Sequence, residues 1–275
     1  MSTYSTFVDN AKKHLVKQWK NCIWNGTFRG RRHNHILATK DHVYKLLLCK
    51  DMREREVCKS LFGGTLKFQS CAHHANSSQI LCMNLFGPLL IRKDNNLALS
   101  QFIKGLGISL SGNIDRAQFE YKPDKKGDRT NFDFYVHTNK DEEVYFEIKY
   151  TEQSFGRPSS GSSKPKEVEF YEKLCCESFY LKDFCGKIRQ KFLDGNFQIW
   201  RNIAHVKENG LQHSVFLFPA RNTALCFPYE FCKPMSAHVK AVHLESIPQI
   251  AQEAFGRQLD LFKYYQAFNR HYFGF

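Results

Sequence analysis

From Thr130 to Glu152 the chain reads TNFDFYVHTNKDEEVYFEIKYTE. Three charged side chains, Asp133, Glu147 and Lys149, stand inside runs otherwise made of Phe, Tyr, Val and Ile. Two strands joined by a turn at TNKDE place Asp133 opposite Glu147, Tyr135 opposite Tyr145 and His137 opposite Glu143. Successive side chains of a strand point to opposite faces. Phe132, Phe134, Val136, Val144, Phe146, Ile148 and Tyr150 therefore share an apolar face, and Asn131, Asp133, Tyr135, Tyr145, Glu147 and Lys149 share the other.

In that register the two carboxylates are cross-strand neighbours, ~5 Å apart at Cα. Ionised together, they repel by ~3 kcal/mol at an effective dielectric of about 20. Lys149 supplies one compensating charge. A divalent cation taking oxygens from Asp133, Glu147 and the Ile148 carbonyl supplies more, and beside phosphates that ion is usually Mg²⁺, with Mn²⁺ as a substitute. Such a site polarises a phosphodiester and lowers the pKa of a bound water. Lys149 would position or deprotonate that water, or stabilise charge on the pentavalent transition state. Alternation alone leaves open a plainer arrangement, an exposed hairpin whose outer face carries a solvated Asp, Glu and Lys.

Composition narrows the partner. The 275 residues carry 40 basic and 27 acidic side chains, a formal charge of +13, and such a field draws polyanions, nucleic acid foremost. With 42% hydrophobic residues, 25 Phe and 12 Tyr, the chain is rich enough in apolar side chains to fold rather than stay disordered. The 10 Cys are irregularly spaced and no secretory leader is visible, which predicts a reduced, cytoplasmic protein without disulfides. Cys71, His73 and His74, with Cys58 upstream and Cys82 downstream, lack the two tight ligand pairs of a structural zinc site and read as packed or polar core. The stretch Ile80 to Ile91 is shorter than the ~20 residues of a membrane span and reads as a buried helix.

The elements that must position the charged triplet follow from periodicity and breakers. The first 70 residues read as helices with basic connections, among them FRGRRHNH, a Gly-broken loop in which Arg31 and Arg32 are candidate phosphate contacts or a solvated turn. NSSQILCMNLFGPLL predicts a helix capped by Asn76, Ser77 or Ser78 and stopped at Gly87-Pro88. NNLALSQFIKGLG predicts another, ending at Gly105 or Gly107. Strands are expected at about 117–122, 131–136 and 144–150, then a flexible loop over 154–166. A helix in EVEFYEKLCCESFYL buries Val168, Tyr171, Leu174 and Cys175. A helix after Gly195 carries a polar stripe of Gln198, Arg201, Asn202 and His205. SVFLFP, from Ser214 to Pro219, is a buried strand. Helical extensions over 1–70 and 221–275, the latter packed on the core, flank a core expected over 71–220.

FDFYV, followed by FEIK with Glu147 fourteen positions after Asp133, resembles the D…(D/E)xK signature of the PD-(D/E)XK nuclease superfamily. HHANSSQILCMNLFGPL, QFEYKP, TNFDFYV, YFEIKYTEQSFG and FQIWRNIAH look like its successive blocks, in order, over roughly residues 70 to 220. Many members place Pro before the Asp; here Asn131 and Phe132 precede it. A second ExK, Glu120-Tyr121-Lys122, lacks an acid at hairpin distance, since Asp115 lies five residues away. The resemblance implies an α/β, restriction-endonuclease-like core with a central mixed sheet flanked by helices. It implies Asp133 and Glu147 as metal ligands, Lys149 as the catalytic lysine and Glu120 as a further acid. Gln198 would reach the site, Arg201 and Asn202 would meet phosphate, and Gln79 would face the cleft as an orienting hydrogen-bonder. The activity implied is Mg²⁺-dependent DNA cleavage, restriction-type defence first, by one chain or a homodimer. An inactive nucleic-acid-binding module, an RNA-directed nuclease and a DNA-repair nuclease are the other readings, and no motif reads base sequence.

Overall fold

The structure, a computed structural model, describes residues 3–60, 68–94, 96–124, 128–157, 164–178, 180–182, 196–207, 210–256 and 258–275. Of the loop expected over 154–166, residues 158–163 lie outside these. Contacts divide the chain into two compact units, one of residues 1–106, 219–223 and 243–275 and the other of 107–218 and 224–242.

The first unit begins with helix α1 (Thr3–Gln18) and a minimal hairpin, β1 (Thr27–Phe28) with β2 (Arg31–Arg32). The basic stretch expected as a loop is thus paired. Arg29 and Gly30 turn it with φ of 51° and 76°, the left-handed pair that a two-residue hairpin turn requires, and Arg31 and Arg32 are exposed. Helices α2 (Arg55–Ser60), α3 (Ser78–Leu90) and α4 (Leu97–Gly105) follow. The α3 cap is Ser77, whose side chain accepts the Ile80 N–H at 3.4 Å. The helix does not stop at Gly87-Pro88 but runs through to Leu90. Proline removes the N–H that would bond the carbonyl four residues back, here that of Asn84. The Tyr264 hydroxyl takes that carbonyl instead, at 2.7 Å, and no buried acceptor is left bare. Tyr264→Phe is therefore expected to cost about 1 kcal/mol, seen as a lower denaturation midpoint with an unchanged slope.

The second unit holds a sheet of β3 (Ile114–Tyr121), β4 (Phe132–Thr138), β5 (Glu143–Ile148), β6 (Gln212–Phe218) and β7 (Val239–His243), in that spatial order. The first three strands form an antiparallel meander, and β6 lies parallel to β5. A parallel pair needs a long crossover, which here contains α5 (Lys164–Glu177) and α6 (Phe197–Ile203). Val168, Tyr171, Leu174 and Cys175 of α5 are buried as their spacing predicts, and they pack with Phe197 and Trp200 of α6 and Phe216 and Phe218 of β6. The mixed α/β sheet flanked by helices is the expected architecture. A short helix, α7 (Tyr229–Cys232), precedes β7, and α8 (Ile247–Phe255) and α9 (Leu259–Phe273) complete the first unit.

Two expectations are corrected. Phe132 does not join Phe134 on the apolar face: its ring stacks on Tyr145 at 4.4 Å and meets His205 at 5.3 Å. The cause lies on the neighbouring strand, where Glu120 has φ of 54°. That left-handed residue turns Tyr121 onto the Tyr135 face, ring on ring at 3.7 Å, and Phe132, paired with Tyr121, shares the cluster formed there. The second correction concerns cysteine. Cys176 is disulfide-bonded, against the expectation of a chain without disulfides. No described helix is long and apolar enough to cross a membrane.

Candidate active site

Strands β4 and β5 pair Tyr135 with Tyr145 and His137 with Glu143, the expected register. The ladder's last rung is Phe134–Phe146, one residue short of Asp133 and Glu147. There the Asp133 Oδ2 accepts the Ile148 N–H at 2.7 Å. A carboxylate thus takes the place of a strand carbonyl and is fixed beside the Glu147 backbone.

The polar face is not a solvated surface. Glu147 is 1% exposed and Lys149 8%, because the crossover brings α6 over this side of β5. The Lys149 Nζ lies 2.7 Å from Glu147 Oε1. On the other carboxylate oxygen, the Asn202 Nδ2 donates at 3.1 Å and the Arg201 Nη2 stands at 3.9 Å. Arg201 is held by its own contacts, with Nε 3.4 Å from Asn202 Oδ1 and the guanidinium 5.7 Å from the Phe197 ring centroid. Residues 201 and 202 thus bring two donors to one acid, and both side chains are buried, whereas they were expected to meet phosphate. Of the other two stripe residues, His205 turns instead to Asp128, 3.3 Å away.

Electrostatics separates the two members of the pair that titrate abnormally. Burial first and the Glu147 carboxylate second push the Asp133 carboxyl well above the usual range, against the pull of Lys149 and the Ile148 N–H, with Glu120 adding to the rise. Lys149 moves the other way round. Burial works against its charge, yet Glu147, Glu152 and Asp133 outweigh it and raise the amine above its ordinary value. Lys149 is therefore a buried ammonium throughout the neutral range. In the protein without a metal this favours electrostatic stabilisation and positioning over the role of a base that deprotonates water.

Glu120 accepts a short hydrogen bond from the Asn131 side chain and lies near enough to Asp133 to act on it. Gln198 packs its side chain over Gly156, where a Cβ would stand 2.8 Å from the Gln198 Oε1 and where φ is +81°. Glycine there satisfies both a left-handed backbone and a close approach. The Glu152 carboxylate accepts the Tyr150 N–H at 2.6 Å. Gln79, Arg31 and Arg32 belong to the first unit. There Gln79 is buried and its Oε1 accepts the Gln69 N–H at 2.9 Å.

Among the described residues no group of three or more His, Cys, Asp or Glu is arranged to hold a metal ion. The donors that do converge are two carboxylates, Asp133 and Glu147, beside the backbone of Ile148. Mg²⁺ suits such a set, since it is commonly held by one or two carboxylates and completed by substrate phosphate and water.

A family model described as Restriction Endonuclease associating with ARP matches residues 10–273. No curated protein matches the chain. No solved structure matches it either.

Proposed function

The chain belongs to the family described as Restriction Endonuclease associating with ARP, and from that premise we propose that it is a Mg²⁺-dependent endonuclease of the PD-(D/E)XK type, hydrolysing DNA phosphodiesters at Asp133, Glu147 and Lys149. The observation that carries this reading is the buried Lys149 ammonium 2.7 Å from Glu147 Oε1, on the same side of the sheet as the raised Asp133. Burying an ion pair is costly, and a fold that needed only stability would be served as well by apolar side chains there.

Asp133, Glu147 and the Ile148 carbonyl would hold the ion. When bound, it supplies Lewis-acid polarisation of the phosphodiester and a lowered pKa for its water. The protein does the rest by position. Asn202 and Arg201 hold one oxygen of Glu147, leaving the carboxylate no freedom to rotate. The Ile148 N–H does the same for Asp133. Lys149 keeps its proton and sets a positive charge where the pentavalent phosphorus gathers negative charge, in a site drier than bulk water where such charge counts most. Glu120 borders this centre and acts on Asp133. Affinity for the backbone comes from the net charge of +13 and from exposed arginines such as Arg31 and Arg32, a sequence-independent and salt-sensitive term. A restriction-type role follows from the family.

The test is cleavage of supercoiled plasmid with Mg²⁺ or with EDTA, beside Glu147→Ala. Nicked and linear products should form only with the metal, and should fall at least about 10²-fold in the variant. Cleavage that persists in EDTA, or at an undiminished rate in Glu147→Ala, would remove this site from the reaction. Tight binding of DNA without any cleavage by the unaltered protein would instead leave a nucleic-acid-binding module.

A further inference from the structure

Away from the three charged residues, the second unit contains a cavity of about 420 Å³ walled by Tyr121, Tyr145, Leu174 and Ala204, with Glu143 and Lys207 among its polar residues. Its aromatic wall is rigid. Tyr121 is clamped on Tyr135 at 3.7 Å, Tyr145 on Phe132 at 4.4 Å, and Arg116 lies over Tyr121 and Tyr135 at 5.4 and 5.0 Å. This wall exists because Glu120 is left-handed, a conformation unfavourable for any residue but Gly, Asn or Asp. Backbone strain within a strand beside a cavity calls for a functional reason.

The acid in the cavity is aimed. Glu143 Oε1 accepts the Tyr135 hydroxyl at 2.7 Å, that hydroxyl accepts from Arg116 Nη2 at 3.0 Å, and Gln212 Nε2 lies 3.4 Å from Glu143 Oε2. The Tyr145 hydroxyl also bonds this carboxylate, and since an ionised carboxylate offers about four acceptor positions, room is left for an incoming donor. A cavity with an aromatic wall that also carries a fixed carboxylate and an amine suits a planar heterocycle that presents two donors side by side and an acceptor beyond them. Among the common bases, guanine has that edge: its ring N–H and amino group lie together, with a carbonyl oxygen next to them. Exposed Asp124 and Glu177 also line the cavity, which disfavours a phosphate inside it and leaves the base as the part that enters.

We infer that this cavity receives an unpaired guanine presented by a nucleic-acid strand, stacked on the tyrosines, with its donor edge on Glu143 and its carbonyl on Lys207. The inference rests on the nuclease reading for its strand. Glu143 and Glu147 are four residues apart on one face of β5, roughly 13 Å at strand spacing, so one strand can offer a base to the cavity and a phosphodiester to Glu147. Enzymes that read single bases this way pair with the Watson–Crick edge and stack on aromatic side chains.

The experiment measures binding of oligothymidylates carrying one central G, A or C to the full chain in EDTA, by fluorescence anisotropy, with dGMP as a competitor. The G oligonucleotide should bind about tenfold more tightly than the others, the range of one good bidentate base contact. That preference should vanish in Glu143→Gln and fall in Lys207→Ala, an exposed position whose variant folds. Equal binding of all oligonucleotides, or a G preference untouched in both variants, overturns the inference, as does dGMP binding as tightly as the G oligonucleotide. A G preference in a protein that cuts nothing supports the cavity while removing the nuclease reading. Metal-dependent cutting with no base preference removes the cavity and leaves the nuclease.

Discussion

Lys149→Met is expected to slow plasmid cleavage at saturating Mg²⁺ by about 10²–10³-fold, the cost of losing one donor aimed at transition-state charge, while DNA binding changes little. The second half matters as much as the first. Lys149 is 8% exposed and paired to Glu147, so it adds little to the field that attracts the backbone from solution. Its amine is raised above the ordinary lysine value, with the acids outweighing burial, which favours a fixed positive charge over a base whose deprotonation drives the rate. A pH–rate profile should accordingly have the same shape in the protein and in Lys149→Met, shifted down by a constant factor. If the rising limb were present in the protein and absent from the variant, Lys149 would be a base and the electrostatic role would be wrong. Lys149→Arg should not restore the rate, because the guanidinium is bulkier and its fork differs from a point charge. Melting temperature must be read alongside, since breaking a buried ion pair costs up to about 3–5 kcal/mol. Activity measured well below the variant's melting temperature separates the two effects.

What made this site readable in sequence was the strictness of period two. A one-residue slip would turn every side chain of a strand to the other face, so the Phe and Val positions of 132–148 and the TNKDE turn left a single register, and the structure has it. The crossover helix was legible for the same kind of reason: 201 and 202 fall on one face whatever covers them. The parts that escaped were non-local or depended on one backbone angle. Nothing near Glu120 announces a φ of 54°, since Glu is not a residue that favours it, and the placement of Phe132 was lost with it. The continuation of α3 past Pro88 depends on Tyr264, far along the chain, which no local stop signal can register. That burial extends to both faces of β4 and β5 could not be told from alternation, because a polar residue looks the same on a solvated face and under a helix. The expected breaks near residues 70 and 220 followed the span of the resemblance, whereas α3 and α4 group by contacts with the first unit.

Asp133→Asn should abolish metal-dependent cleavage and yet stabilise the metal-free protein at neutral pH. Burial and the Glu147 carboxylate raise the Asp133 carboxyl well above the usual range, so the fold binds this proton more strongly than the unfolded chain does. A carboxyl raised in the fold contributes stability that is fully present below its unfolded pKa of about 3.9 and is lost as pH rises through the folded value. In EDTA the melting temperature should thus fall with rising pH by an amount that the amide, which never ionises, does not share. Other acids act in the opposite sense. Although burial alone would raise Glu142, the N–H groups of Ser111 and Gly112 and the Thr138 side chain hold it below its ordinary value, and its contribution is lost as pH falls. The readout is therefore the difference between the protein and Asp133→Asn across pH, in which Glu142 cancels. Asparagine keeps an oxygen for the Ile148 N–H, so the comparison isolates charge. Adding Mg²⁺ should close the gap, because an ion at a hundred times its Kd stabilises the fold by ~2.7 kcal/mol and does so for the acid in preference to the amide. A variant less stable than the protein at pH 8 in EDTA would mean that Asp133 is already compensated without a cation, and the case for a metal at this pair would lose its physical ground.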